Sequence, residues 1–189
     1  MTDPRRALQE GDALIIVDVQ NDFCPGGALA VPEGDTVIPV LNEWIAVAHE
    51  RAVPVYASRD WHPKNHVSFQ AQGGPWPPHC VQDTAGAGYH PELKLPESAI
   101  KVTKGTRFDR DQNSVFDQTG LATQLKRDGI RRLWVGGLAQ DVCVRASVLD
   151  ARAAGFEVHV IDAATRPITA EGGRQALEEM AAAGARVEP

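Results

Sequence analysis

LWVGGLAQDVC, residues 133–143, passes from an apolar run through two glycines into what reads as the first turn of a helix. The spacing predicts a strand over 132–135, a helix over 140–154 closed by Gly155, and a second strand over 156–161. Strand, helix and strand in this order form a parallel unit. The two glycines are expected to end the first strand where the backbone bends.

The rest of the chain continues this alternation. Strands are predicted at residues 13–17, 53–57, 100–103 and 185–188, and helices at 35–51 and 169–183. The pattern predicts an α/β fold: a doubly wound, mostly parallel β-sheet with helices on both faces, in three α/β/α layers and in one domain spanning 1–189. Residues 61–96, rich in Pro, Gly and His, form a loop long enough to be expected to be functional.

Composition excludes several classes of protein. The 189 residues carry a net charge of −6, which argues against nucleic-acid or anionic-membrane partners. No apolar run is long enough to span a bilayer, and the N-terminus lacks the pattern of a signal peptide. Three cysteines favour reduced thiols over a disulfide framework. We expect a soluble, cytoplasmic protein, and the sequence leaves a homo-oligomer open.

Three chemically active side chains follow predicted strands. Asp18 closes the first strand, Lys104 the third, and Cys143 follows the fourth. Each alone has an ordinary interpretation: a turn cap, a solvated lysine and a small buried hydrophobe. Because parallel strands end at one edge, where ligands bind, together they predict a nucleophilic thiol beside a proton-transfer carboxylate and a cation. The helix N-terminus and Lys104 are expected to favour the thiolate.

A second group of side chains predicts a metal site. Asp60 and His62 follow the second strand with one residue between them, so both side chains can face one ion. His79 comes later in the long loop, and His66 is a candidate for a fourth ligand or an outer group. Two histidines and a carboxylate leave open positions on a divalent metal. Solvated loop histidines are the alternative interpretation.

With these residues assembled, the chain resembles the nicotinamidases of the isochorismatase-like cysteine hydrolase superfamily. The motifs are VDVQNDF (17–23), DWHP (60–63), WPPHC (76–80), KG (104–105) and AQDVCV (139–144). The first and last are typical of the superfamily, and the two histidine motifs of nicotinamidases. The family often has other residues where this chain has Gln140 and Val142, which bears on selectivity within the pocket.

The resemblance implies an amidohydrolase that converts nicotinamide to nicotinate and ammonia in NAD salvage and also accepts pyrazinamide. It implies that Asp18, Lys104 and Cys143 form the catalytic triad and that Asp60, His62 and His79 are the metal ligands. It also implies an oxyanion hole made by the Ala139 and Cys143 amides, with a cis peptide bond between Leu138 and Ala139. Phe23 and Trp76 would form the walls of the pocket. The thiol would form a thioester, which water then hydrolyses.

Some points stay open. Zinc is the first choice of metal, with iron or manganese as alternatives, and the metal would either activate water or hold the pyridine nitrogen. Ser68 falls where the family often has a polar residue beside the metal.

The other candidate functions are an amidase for another small amide, an isochorismatase-like vinyl ether hydrolase, and a catalytically silent binding domain. Cys143 argues against the vinyl ether reaction, and Asp60, His62 and His79 argue against a metal-free amidase.

Overall fold

The computed structural model describes residues 1–189, and the strand Asp12–Val17 (β1) lies at the centre of its sheet. Every residue of β1 is buried, as its continuous apolar run predicts. Side chains alternate between the two faces, so Leu14 and Ile16 belong to one hydrophobic cluster. Ala13, Ile15 and Val17 belong to a second cluster on the opposite face. The sheet therefore separates two cores.

Six parallel strands form this sheet. Their bounds are Asp12–Val17 (β1), Val55–Asp60 (β2), Ile100–Lys104 (β3), Arg132–Leu138 (β4), Glu157–Arg166 (β5) and Arg186–Glu188 (β6). The spatial order is β3-β2-β1-β4-β5-β6, and every neighbouring pair is parallel. This confirms the predicted doubly wound α/β fold. The order reverses between β1 and β4, where sheets of this type bind ligands beyond the carboxyl ends of the strands.

Helices cover both faces of the sheet. They are Pro4–Ala7 (α1), Val37–Glu50 (α2), Leu121–Arg127 (α3), Arg145–Ala153 (α4) and Ala170–Ala182 (α5). The helix α2 contributes to the first core, and α3, α4 and α5 contribute to the second. A π-helical turn, Gln140–Val144, leads directly into α4. The short helices α1 and α3 are absent from the sequence-based prediction because each offers too few turns for a clear apolar period. No helix is long and apolar enough to span a bilayer.

The prediction that the two glycines end β4 is wrong. The strand continues through Gly136 and Gly137 to Leu138. A Cβ atom on Gly137 would overlap the backbone of Val17, and its φ of +124° is one that side-chain-bearing residues rarely adopt. Glycine here allows β4 to approach β1 closely. Strand β5 also runs further than predicted, to Arg166 instead of 161.

The long loop between β2 and β3 is ordered by backbone contacts. His62 forms an isolated parallel bridge with Val81, and Phe69 forms another with Trp76. The carboxylate of Asp22 accepts a hydrogen bond from the Cys80 amide at 2.8 Å. These contacts hold the loop against the carboxyl edge of the sheet, where the candidate site lies.

Candidate active site

A buried lysine stands at the centre of the site. Lys104 ends β3, and the strand register pairs it with Asp60, the last residue of β2. Its Nζ atom lies 2.6 Å from Asp60 Oδ1, 2.7 Å from Asp18 Oδ2 and 3.6 Å from Cys143 Sγ. The side chains of Lys104 and Asp18 have no exposed surface. The structure therefore brings together the carboxylate, the cation and the thiol that the strand-end pattern predicts.

The two carboxylates beside Lys104 have different proton affinities. Burial raises the pKa of Asp18, although the Lys104 ammonium opposes this. Burial also disfavours ionisation of Asp60, but Lys104 and His62 outweigh it and lower the pKa of Asp60. Burial in turn acts against the charge on Lys104, and the two carboxylates overcome it and raise the lysine pKa. Asp18 is thus suited to carrying a proton and Asp60 to remaining an anion.

The surroundings of the Cys143 thiol act against the thiolate expected from its helix position. Cys143 lies in the π-helical turn before α4, where the sequence predicts the first turn of a helix, and only 5% of the residue is exposed. Burial raises the pKa of Cys143, and the Lys104 ammonium only partly offsets this effect. Ligand atoms of Asp18, Asp60 and Cys143 all lie within 4.8 Å of one another. An acceptor for the thiol proton is therefore adjacent to the sulfur.

Asp60, His62 and His79 converge as a candidate metal-binding group, with ligand atoms within 4.8 Å of one another. The Nδ1 atom of His62 donates to the Gly105 carbonyl at 2.7 Å, and that of His79 donates to the Pro77 carbonyl at 2.8 Å. Because Nδ1 is engaged in both rings, Nε2 is the atom that each ring can offer to a metal ion, the arrangement usual in metal-binding histidines. His62 Nε2 is buried without a hydrogen-bond partner. The donor set and this orphaned nitrogen fit a divalent ion.

His66 and Ser68 lie against this group. The ring of His66 stacks on that of His62 at a centroid distance of 3.9 Å. Its Nδ1 shares a hydrogen bond with Ser68 Oγ at 2.7 Å, and its buried Nε2 has no partner. Burial, together with His62, lowers the pKa of His66 to about 4. His66 is therefore an uncharged ring packed against the candidate metal-binding group.

A pocket opens above these residues. Phe23 and Trp76 line it, as the resemblance implies, together with Asp60, His79 and Cys143. Ala139 also lines it, and the Leu138–Ala139 bond is cis, as the resemblance implies. The Ala139 amide donates to no backbone carbonyl. Nine of the thirteen lining residues are hydrophobic, so the pocket suits a small, largely apolar ligand with one polar group.

Sequence reasoning missed four residues that support the site. Ser58 donates to Asp18 Oδ1 at 2.6 Å, and its position two residues before Asp60 on β2 is the signal that was available. Gln20 accepts from the Asp60 amide and donates to the Asp60 carbonyl, both at 2.8 Å. Asn113 and Ser147 approach Cys143 from outside its own turn. Ser147 lies four residues after Cys143, one helical turn along, whereas Gln20 and Asn113 reach their partners only in the folded chain.

Comparison with known proteins identifies the family of this chain. Residues 12–188 match the model of the isochorismatase domain. The chain belongs to the isochorismatase family. It is 41% identical to the nicotinamidase of Escherichia coli (strain K12), an alignment that covers 92% of each chain. The resemblance indicated by the motifs is therefore confirmed, and the family member described here is a hydrolase.

Solved structures agree with this assignment. The pyrazinamidase of Pyrococcus horikoshii in complex with zinc has a TM-score of 0.91 and 47% identity, covering 94% of this chain and 98% of that one. A protein from L. infantum in complex with nicotinate has a TM-score of 0.88 and 38% identity, covering 94% of this chain and 91% of that one. The full sheet and both helical layers therefore correspond to a known hydrolase architecture.

Proposed function

We propose that this protein is a nicotinamidase, in which one domain spanning 1–189 hydrolyses nicotinamide to nicotinate and ammonia. The observation that carries the proposal is the contact of Lys104 with both Asp18 and Cys143 at a pocket lined by Phe23 and Trp76. A thiol, a proton carrier and a cation suit attack on a carboxamide. Two aromatic side chains suit a flat pyridine ring. The nicotinamidase and pyrazinamidase relatives support the same reaction.

The first half-reaction forms a thioester. Asp18 takes the thiol proton, and Cys143 Sγ forms a bond to the carboxamide carbon. The Ala139 and Cys143 amides donate to the oxygen that becomes negatively charged. Asp18 then gives its proton to the substrate nitrogen, the carbon–nitrogen bond breaks and ammonia leaves. The raised pKa of Asp18 suits it to hold the proton between these two transfers.

The second half-reaction releases nicotinate. Asp18 takes a proton from a water molecule as its oxygen attacks the thioester carbon, and the carbon–sulfur bond breaks. The proton returns to the sulfur, which restores the thiol, and the carboxylic acid product loses its own proton to the solvent or to the ammonia as nicotinate. Lys104 remains charged throughout, because its pKa is raised by the carboxylates around it. Its ammonium stabilises the sulfur anion that forms when the thiol proton leaves and again when the thioester breaks.

Asp60, His62 and His79 would hold a divalent ion, for which the donor set favours zinc, with iron or manganese as alternatives. When bound, such an ion supplies Lewis acidity at the pocket wall, towards a water molecule or the pyridine nitrogen. Asp60 also contacts Lys104, so the metal group and the catalytic group share one carboxylate. Pyrazinamide differs from nicotinamide by one ring nitrogen, and we propose that the same pocket accepts it.

Cys143→Ala tests the proposed reaction. Ammonia release from nicotinamide should fall by at least about 10⁴-fold, because the variant lacks the nucleophile that forms the thioester. The melting temperature should change by only a few degrees. Cys24→Ala is the matched control, since Cys24 is also buried but lies outside the pocket, and it should keep wild-type turnover.

The substrate is tested with the wild-type protein on nicotinamide, pyrazinamide, benzamide and aliphatic primary amides. We expect the two heteroaromatic amides to have the highest kcat/KM. A higher kcat/KM for an aliphatic amide would contradict the substrate assignment. Near wild-type turnover by the Cys143→Ala variant would contradict the thiol mechanism.

A further inference from the structure

We infer that Asn113 is a specificity-determining residue that accepts a hydrogen bond from the substrate amide nitrogen and so selects carboxamides over carbonyl compounds without an N–H. The inference rests on the proposed function, because it concerns the group next to the reacting carbon. Asn113 lies in the segment between β3 and α3, and it lines the pocket together with Cys143. Its Oδ1 atom lies 3.9 Å from Cys143 Sγ.

Asn113 contacts the thiol from the solvent side, and the Lys104–Asp18 ion pair contacts it from the protein interior. Lys104 and Asp18 are buried beneath the sulfur, whereas Asn113 is exposed. A substrate that reaches the thiol through the pocket therefore meets the Asn113 side chain before the buried pair. Among the lining residues, Asp60 and His79 belong to the metal-binding group and Cys143 supplies the thiol. Asn113 and Asp111 are the remaining polar side chains in the lining.

The segment that carries Asn113 is fixed on both sides to the catalytic group. On one side, the Gln112 carbonyl accepts from Lys104 Nζ at 3.4 Å. On the other, the Val115 amide donates to Ser147 Oγ at 3.0 Å, and that hydroxyl donates to the Cys143 carbonyl at 2.7 Å. These bonds set the distance between the Asn113 backbone and the sulfur. The exposed Asn113 side chain therefore extends from a backbone that is held beside the sulfur.

At the sulfur, Asn113 Oδ1 is an acceptor that no protein donor other than the thiol uses. Asp18 Oδ1 already accepts from Ser58, and its Oδ2 faces Lys104. The thiol is the one donor to Asn113 Oδ1, and it is lost when the thiol proton moves to Asp18. Asn113 Oδ1, beside a sulfur anion, then needs a new hydrogen-bond donor. Because the pyridine ring of the substrate displaces water from the pocket, the substrate N–H is the donor that remains.

The oxygen and nitrogen of the carboxamide would then be recognised separately. The Ala139 and Cys143 amides receive the oxygen, and Asn113 receives one N–H. A carbonyl compound without an N–H would keep the first contact and lack the second. A site that hydrogen-bonds an NH group discriminates against analogues that lack it, since its polar group is otherwise left without a partner.

Asn113→Leu tests this with two probes, nicotinamide and nicotinaldehyde. The aldehyde has the same ring and carbonyl group, adds the thiol reversibly to give a hemithioacetal, and has no N–H. We expect kcat/KM for nicotinamide to fall about tenfold, as for one lost hydrogen bond, with the nicotinaldehyde inhibition constant changed less than about twofold. Gln9→Leu is the matched control, because Gln9 is an exposed amide before the amino end of β1, and it should change neither value.

Equal losses for both probes would indicate a structural role for Asn113 and overturn the inference, as would an unchanged kcat/KM for nicotinamide. Asn113→Ala provides a second variant, with the same expected selective loss and a smaller side chain. Failure of the proposed function gives a different result: the wild-type protein would then not release ammonia from nicotinamide, whatever residue stands at position 113.

Discussion

The two ends of β1 each bury an aspartate, and their surroundings differ. Asp12 begins the strand and is 2% exposed; Asp18 follows it and is fully buried. Asp12 Oδ1 accepts from Arg132 at 2.8 Å, and Oδ2 accepts from Arg132 at 2.7 Å and from the Trp134 indole at 3.0 Å. The backbone N–H of Gln9 donates a fourth hydrogen bond, to Oδ2, at 2.9 Å. Both carboxylate oxygens of Asp12 are therefore used by fixed structural donors.

Asp18 has fewer and more chemically active neighbours. Ser58 donates to one oxygen, and the other faces the Lys104 ammonium, which Asp60 also contacts. Beyond it lie two histidine nitrogens, His62 Nε2 and His66 Nε2, that are buried without partners. Buried polar atoms in folded proteins are normally satisfied, so unsatisfied ones require an explanation. The polar contacts at the amino end of β1 stabilise the fold, whereas the carboxyl end has polar atoms without protein partners that a ligand can contact.

Asp18→Asn should have the largest effect on this contrast, and the effect should be on turnover. An amide cannot carry the thiol proton, so kcat for ammonia release should fall at least about 10³-fold. The melting temperature should stay within a few degrees of the wild type, because Lys104 keeps Asp60 as its counter-ion. An ammonia-release assay and a thermal unfolding experiment on one preparation measure kcat and the melting temperature. A large loss of stability with normal kcat would break the contrast.

His79→Ala should have the next largest effect, on metal content. Removal of one ligand from the group Asp60, His62 and His79 should weaken zinc binding at least about 100-fold, as measured by competition with a chromophoric chelator. His49→Ala is the matched control, because His49 is exposed on α2 outside the site. Equal zinc affinity in the two variants would show that these side chains do not form the metal site.

Asp12→Asn should have the smallest effect, and it should be on stability alone. The amide nitrogen would face donors, so the free energy of unfolding should fall by about 2 kcal/mol. The kcat of the folded protein should equal that of the wild type. Denaturant titration together with the ammonia assay measures both quantities. A lowered kcat at unchanged stability would mean that the two ends of β1 are not functionally distinct.

Much of the fold and part of the site could be predicted from local pattern. The strand β1 and the helix α2 have clear periods, so both are found close to their observed bounds. Because parallel strands end at one edge, the positions of Asp18, Lys104 and Cys143 after strands were sufficient to predict that they meet. The proximity of Asp60 and His62 in the candidate metal-binding group also follows from spacing, since the two residues alternate in extended chain.

Other features depend on contacts between distant segments. The glycines of β4 reflect the close approach of β1, which no local pattern reveals. The pKa of Cys143 was expected to be low from its helix position, but it is raised because the folded chain buries the sulfur. Ser58, Gln20 and Asn113 act on residues 30 or more positions away in the chain.

The sequence by itself determined the order of strands and helices, the edge of the sheet that carries the chemistry, and the residue types present there. Those depend on side-chain period and on the direction of parallel strands, which are local properties. The tertiary structure alone decided the burial of the thiol, the different surroundings of Asp18 and Asp60, and the position of Asn113 at the sulfur. These depend on desolvation and on short-range hydrogen bonds, which exist only once distant segments have packed together.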